Sequence, residues 1–277
     1  MDSPPDPIAH RGRILLVGHG RMGSSLVAGW RRAWPMAQVS VVTRAGSGPP
    51  EGQWLAFDEA ARLSDFDAIV LAVKPADAAE ALAELSQFEG ARLLVSVAAG
   101  LSLAQLETAC PSGWRCVRAM TSLAIALGAG AAVAAARDLG DEDRRLCERL
   151  LPAPGGVVWI EETEMDAATA LMGSGPAYFF RLAETLLQAG EALGLEPRMA
   201  AHLVRATLAG SGALAAANGQ SLVQLKAAVA SPGGTTAAAL EVLDCNDALA
   251  RLVARAAEAA TRRGAELRSA GPVNIPG

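Results

Sequence analysis

Residues 13–23 run Arg13-Ile14-Leu15-Leu16-Val17-Gly18-His19-Gly20-Arg21-Met22-Gly23. A short aliphatic run that stops at a glycine is the pattern of a parallel strand buried on both faces. The Gly-x-Gly-x-x-Gly that follows opens a helical pattern from Met22 to Trp34. Glycine at 18 permits a tight turn, and glycine at 20 lets backbone approach a pyrophosphate. Glycine at 23 lets the helix pack closely on the strand. The N–H groups at the helix start then face the phosphates. Alone, the three glycines would also fit an ordinary turn; their place between a first strand and a first helix points to a dinucleotide site.

Working outward, apolar runs recur at Gln38–Thr43, Ala68–Val73, Arg92–Val97, Arg115–Ala119 and Val157–Ile160, with helical spacing at Asp77–Phe88 and Ser102–Ala109. This alternation predicts an α/β fold with a Rossmann-like, doubly wound parallel sheet. Near Glu161 the composition shifts to Ala, Leu and Glu, and helices are expected at 163–172, 176–193, 197–217, 221–229 and 235–265. The expected organisation is a dinucleotide-binding domain over 1–161 and an all-helical domain over 162–277. Many of these helices are apolar on more than one face, which predicts a homodimer or higher homo-oligomer through the helical domain.

The 277 residues carry a net charge of −5 and are 51% hydrophobic, which excludes a disordered acidic chain. Mild acidity argues against a nucleic-acid surface, and aromatics at 4% argue against a stacking platform for single strands. Cys110, Cys116, Cys147 and Cys245 form neither a CxxC pair nor a Cys/His zinc spacing, so no metal is expected and the thiols suit a reducing, cytoplasmic setting. The first 13 residues are polar and proline-rich, unlike a signal peptide, and are expected to be frayed. The uncharged stretches between Arg118 and Arg137 and between Arg205 and Lys226 are diluted by small or polar residues, so no membrane span is expected.

Four further places carry chemistry. The second apolar run ends in Thr43-Arg44, where an acidic residue would select the 2′-hydroxyl of NAD. A hydroxyl and a guanidinium suit a 2′-phosphate instead, so NADPH is the expected cofactor, with NADH as the alternative. Val73-Lys74-Pro75 ends the third run and Ala98-Ala99 follows the fourth, both where a sheet edge would meet the cofactor. His19 is read as a bystander in the glycine turn. Ser231-Pro232-Gly233-Gly234-Thr235-Thr236 precedes a helix; its freed backbone and hydroxyls could hold a carboxylate, or form a plain N-cap turn.

Together GHGRMG, the Val73–Pro75 VKP, SVAAG, DAATALMGSGPAYFF and ASPGGTTAAALEVLD resemble pyrroline-5-carboxylate reductase, from about Arg13 to Arg263. The resemblance implies a Rossmann domain followed by a helical domain that binds substrate and dimerises. It implies reduction of the cyclic imine Δ1-pyrroline-5-carboxylate to L-proline with NAD(P)H. Carried over by position, NADPH would lie on Gly18, Gly20, Arg21, Met22, Gly23, Thr43, Arg44, Val73, Lys74, Pro75, Ala98 and Ala99. The substrate carboxylate would lie on Ser231, Gly233, Gly234, Thr235 and Thr236, with the Thr236 hydroxyl near the imine nitrogen as the catalytic group and Glu162 near the substrate. The chain departs from the family pattern at Ser122-Leu123-Ala124, in place of Asn-Thr-Pro, and at Glu59, Ala206, Ala227 and Ala228. Lost polar groups leave two alternatives: a paralogous reductase of another cyclic imine, or a catalytically weak NADPH-binding regulatory protein.

Overall fold

The computed structural model describes residues 12–43, 53–62, 66–88, 93–217 and 219–269. One compact unit runs to Gly173 and regains the chain from Ala260; the other is Ser174–Ala259.

The first unit is built on strands β1 (Arg13–Val17), β2 (Gln38–Val42), β3 (Gln53–Leu55), β4 (Ala68–Leu71), β5 (Leu93–Ser96), β6 (Arg115–Thr121), β7 (Ala132–Ala135) and β8 (Val157–Trp159). They form one sheet in the order β3-β2-β1-β4-β5-β6-β7-β8. Helices α1 (Arg21–Ala33), α2 (Phe57–Arg62), α3 (Ala78–Leu85), α4 (Leu103–Ala109) and α5 (Asp141–Leu150) lie between strands in the chain, and α6 (Met165–Ala168) follows β8. In β1, Ile14 and Leu16 join a core with Leu26 and Trp30 of α1 and Leu146 and Leu150 of α5. Leu15 and Val17 point the other way, to Leu82 and Leu85 of α3 and Leu106 of α4. A strand covered on both faces has no polar side to show, hence the unbroken apolar run. Trp30 is fully buried and its indole N–H donates to the Leu150 carbonyl at 2.8 Å, joining α1 to the end of α5.

Two strands lie outside the apolar runs. β3 is a three-residue edge strand with polar and aromatic character, held by pairing Ser40↔Gln53 and Val42↔Leu55. β7 is mostly alanine, a weak strand former, and is strand because β6 and β8 flank it; all four residues are buried. It runs antiparallel to β6, so the sheet is parallel except at that pair.

The second unit comprises α7 (Gly175–Ala192), α8 (Pro197–Ala217), α9 (Leu222–Val229), α10 (Thr235–Asp244) and the start of α11 (Ala248–Ser269). The single helix expected over 235–265 is two helices: Asn246 and Asp247 both have φ of 53°, a left-handed conformation that breaks the ladder. Asn and Asp tolerate it because their short polar side chains compete with helix bonds. Preceding α7, Thr169–Gly173 forms a π-turn rather than regular α-helix. Only Gly175 and Ala200 are buried among the described residues of this unit, while Phe180 is 64% and Leu252 63% exposed. No helix among the described residues is long and apolar enough to cross a membrane.

Candidate functional site

At the C-terminal ends of β1, β2 and β4 the backbone opens into a cleft of about 560 Å³. The chain leaves β1 toward β2 on one side while β4 lies on the other, the reversal at which open α/β sheets bind ligands. The three glycines there have different reasons. A Cβ on Gly18 (φ +95°) would stand 2.9 Å from the Ala72 carbonyl oxygen, and one on Gly23 would stand 2.3 Å from the Gly18 oxygen. Protein packing therefore excludes side chains at 18 and 23. A Cβ on Gly20 would meet nothing within 4 Å, so that position opens onto free space. Gly20 caps α1 without a side-chain acceptor, and the first turn has no acidic residue. The N–H groups at this helix start are thus presented to an anion. The glycines, the uncapped start and the cleft fit a dinucleotide.

Gly18, Gly20, Thr43, Val73 and Lys74 line the cleft. Arg21 and Met22 lie in the first turn of α1, where the Met22 side chain packs toward the core. Lys74 is exposed and precedes the 3₁₀ turn Pro75–Asp77, which its backbone caps. Ala98, buried, and Ala99, half-buried, follow β5 at the same sheet edge, beyond the cleft's own lining. Arg44 lies outside the described residues. Glu59 accepts from the Ala56 N–H at 3.0 Å and so caps α2.

His19 also lines the cleft, as its place in the glycine turn implies. Its ring meets Trp54 of β3 edge to face, centroids 4.8 Å apart and planes at 89°. Partial burial, and then the positive charge of Arg31, hold the imidazole below its usual titration range. Asp77, Glu80 and Glu84 also line the cleft.

Glu162 is engaged within the protein: its Oε1 accepts from the Leu103 N–H at 2.7 Å, at the start of α4, and lies 3.5 Å from Arg118 Nη1. Arg118, buried in β6, donates through Nη2 to Asp166 Oδ1 at 2.9 Å, and Arg268 pairs with Asp166 Oδ2. The one sequence signal of this network was a charge inside the apolar strand Arg-Cys-Val-Arg-Ala-Met-Thr. Two residues on from Thr121, Leu123–Leu127 forms a 3₁₀ turn ended by Gly128 (φ +64°). Thr121 Oγ1 donates to the Ala131 carbonyl at 3.0 Å, and a Cβ on Gly29 would stand 2.9 Å from the Ile125 oxygen. The Ser122-Leu123-Ala124 departure is thus a packed turn seated against α1.

In the second unit, Ser231–Gly234 forms a tight turn closed by the Gly234 N–H donating to the Ser231 carbonyl at 3.0 Å. Gly233 has φ +69°, a conformation open to glycine. Gly234 caps α10 without a side-chain acceptor, Thr235 is exposed, Thr236 is half-buried, and no acid sits in the first turn. This is a second helix start suited to an anion, with hydroxyls added. Lys226 Nζ lies 3.7 Å from Asp244 Oδ2, pairing α9 with the end of α10.

Comparison with known proteins extends these observations along the chain. The profile described as "Pyrroline-5-carboxylate reductase dimerisation" matches residues 162–267, and that described as "NADP oxidoreductase coenzyme F420-dependent" matches residues 13–100. Pyrroline-5-carboxylate reductase of Mycobacterium tuberculosis is 35% identical over 288 residues, covering 92% of this chain and 97% of the relative. The Pseudomonas aeruginosa enzyme of the same name is 35% identical, covering 92% and 96%. Among solved structures, a pyrroline-5-carboxylate reductase from Coxiella burnetii is 31% identical with a TM-score of 0.83, covering 93% of this chain and 99% of that one. The Plasmodium falciparum pyrroline carboxylate reductase, solved with NADP bound, is 28% identical with a TM-score of 0.81, covering 92% and 98%. The chain belongs to the pyrroline-5-carboxylate reductase family.

Proposed function

We propose that this protein reduces Δ1-pyrroline-5-carboxylate to L-proline with NADPH, the last step of proline biosynthesis, with NADH as a weaker donor. The observation that carries this reading is the presence in one chain of two uncapped, acid-free helix starts, at Gly18–Gly23 and at Ser231–Thr236. One suits a pyrophosphate and the other a carboxylate, the two anionic groups such a reaction brings together.

Reduced nicotinamide, when bound, supplies the hydride that adds to the imine carbon. The chain's own residues bind and orient. Gly18, Gly20, Arg21, Met22 and Gly23 hold the pyrophosphate through backbone N–H groups. Thr43 and Arg44 take the 2′-phosphate. Val73, Lys74, Pro75, Ala98 and Ala99 border the nicotinamide half. Ser231, Gly233, Gly234, Thr235 and Thr236 hold the substrate carboxylate, and the Thr236 hydroxyl stands at the ring nitrogen. An iminium is more electrophilic than a neutral imine, so substrate protonated at nitrogen needs no strong acid from the protein. Glu162 serves the substrate by positioning: its Oε1 fixes the start of α4 and Arg118.

Domains 1–161 and 162–277 divide the work between cofactor and substrate. The exposed apolar helices of Ser174–Ala259 support a homodimer or higher homo-oligomer, and a cytoplasmic setting is the reading that suits four free thiols. The packed turn at Ser122-Leu123-Ala124 favours, as a second reading, a related cyclic imine as substrate.

The test is nicotinamide absorbance with purified protein, Δ1-pyrroline-5-carboxylate and either NADPH or NADH, with L-proline quantified. Imine-dependent NADPH oxidation with stoichiometric proline is expected. NADPH binding without turnover, but turnover with another cyclic imine, would establish the second reading instead.

A further inference from the structure

We propose that His19 recognises the 2′-phosphate on the adenosine half of NADPH and so acts as a specificity-determining residue beside Thr43. This rests on the nucleotide reading of the cleft given above. His19 occupies the turn between Gly18 and Gly20 and lines the cleft. Its ring contacts Trp54, which pairs with Val41 of β2. That contact carries the imidazole to the β2–β3 side of the cleft, where Thr43 follows β2. The adenosine ribose of a Rossmann-bound dinucleotide lies at the end of this second strand, whereas the pyrophosphate rides on the helix start. Among the described residues the ring's hydrogen-bond partner is Ser24 Oγ, 3.5 Å from either nitrogen, the outer limit of such a bond. An N–H is therefore available to a ligand.

The cleft's charged lining is Lys74 against Asp77, Glu80 and Glu84, so a phosphate there needs added positive charge, which a protonated His19 supplies. Partial burial, and then the positive charge of Arg31, disfavour protonation of the imidazole. A phosphate dianion arriving beside the ring reverses the effect of Arg31, and the imidazole takes up a proton as the ligand binds. A 2′-hydroxyl brings no such charge. Trp54 holds the ring in place, so the donor is positioned before the ligand arrives.

The experiment uses the full chain with the redox-inert probes NADP⁺ and NAD⁺. The protein has three histidines, His10, His19 and His202, so imidazole NMR titrations are tractable, and loss of a signal in His19→Gln assigns it. Because both nucleotides bring the pyrophosphate, saturating NADP⁺ is expected to raise the His19 midpoint by about one pH unit more than NAD⁺ does, which corresponds to about tenfold coupling. A phosphate monoester itself titrates near pH ~6, so the imidazole signal decides rather than affinity alone. His19→Gln is expected to lose about tenfold in NADP⁺ affinity at mildly acidic pH while NAD⁺ affinity is kept. Equal movement of His19 with both nucleotides, or no movement when both bind, overturns the assignment and leaves the nucleotide cleft standing. Failure of the wild-type protein to bind either nucleotide overturns the cleft reading, and this inference with it.

Discussion

Arg118 Nη2 donates to Asp166 Oδ1 at 2.9 Å, and Arg268 occupies the other oxygen of the same carboxylate. One buried acid thus joins β6, α6 and the end of α11. The side chains of Arg118 and Asp166 are 5% and 9% exposed, so their charges are shielded from water and depend on each other. Asp166→Ala leaves Arg118 with only the longer contact to Glu162 and should cost about 3–5 kcal/mol in urea unfolding. Arg268→Ala should cost about 1 kcal/mol, since that side chain is 34% exposed. Equal losses would mean that the carboxylate is not the shared anchor.

Gly20 and Gly23 separate ligand fit from packing. Gly23→Ala puts a methyl 2.3 Å from a backbone oxygen and should destabilise the protein by about 1–3 kcal/mol. Gly20→Ala has free space and should change stability by less than about 1 kcal/mol. It should nonetheless raise the NADPH Kd at least about tenfold, because its methyl enters the space that a phosphate would fill. Thermal melts and nucleotide titrations on the two variants check this; unchanged NADPH affinity in Gly20→Ala would move the pyrophosphate elsewhere.

Thr236→Ala should lower kcat/KM for the imine by about 10–100-fold, with the NADPH Kd within about twofold of wild type. Steady-state kinetics with a parallel binding titration makes the comparison. Weakened nucleotide binding instead would assign the Ser231–Thr236 loop to the cofactor.

Leu186 and Leu252 are 51% and 63% exposed on a single chain. If the helical unit assembles through these faces, replacing both by Arg should lower the mass seen in light scattering toward the 28.3 kDa of one chain. An unchanged multimeric mass would place the interface elsewhere.

His19 gives stability a pH dependence of definite sign. Its imidazole titrates below the ordinary value of 6.5 in the folded protein because burial and then Arg31 oppose the charged form. From that ordinary value down through the folded midpoint the unfolded chain holds more protons, so acid favours unfolding. His19→Gln should flatten this part of the stability curve in the ligand-free protein. A steeper acid loss in the variant would reverse the assignment.

The strand–glycine–helix stretch, the parallel runs and the two anion-ready loops were legible in the order of residues, because each depends on neighbours within a few positions. A buried strand needs apolar residues, a tight turn favours glycine, and a helix start that binds an anion needs no acid in its first turn. Other features depend on partners that sequence neighbours do not specify. The four residues of β7 are strand because two other strands flank them. His19 meets Trp54 only after β3 joins the sheet edge, and Asp166 is gathered with residues 48 and 102 positions away. The break at Asn246–Asp247 interrupts a stretch whose composition favours continuous helix. Local patterns encode local backbone geometry, whereas the pairing of distant charges and rings is set by where the folded sheet and helices bring them.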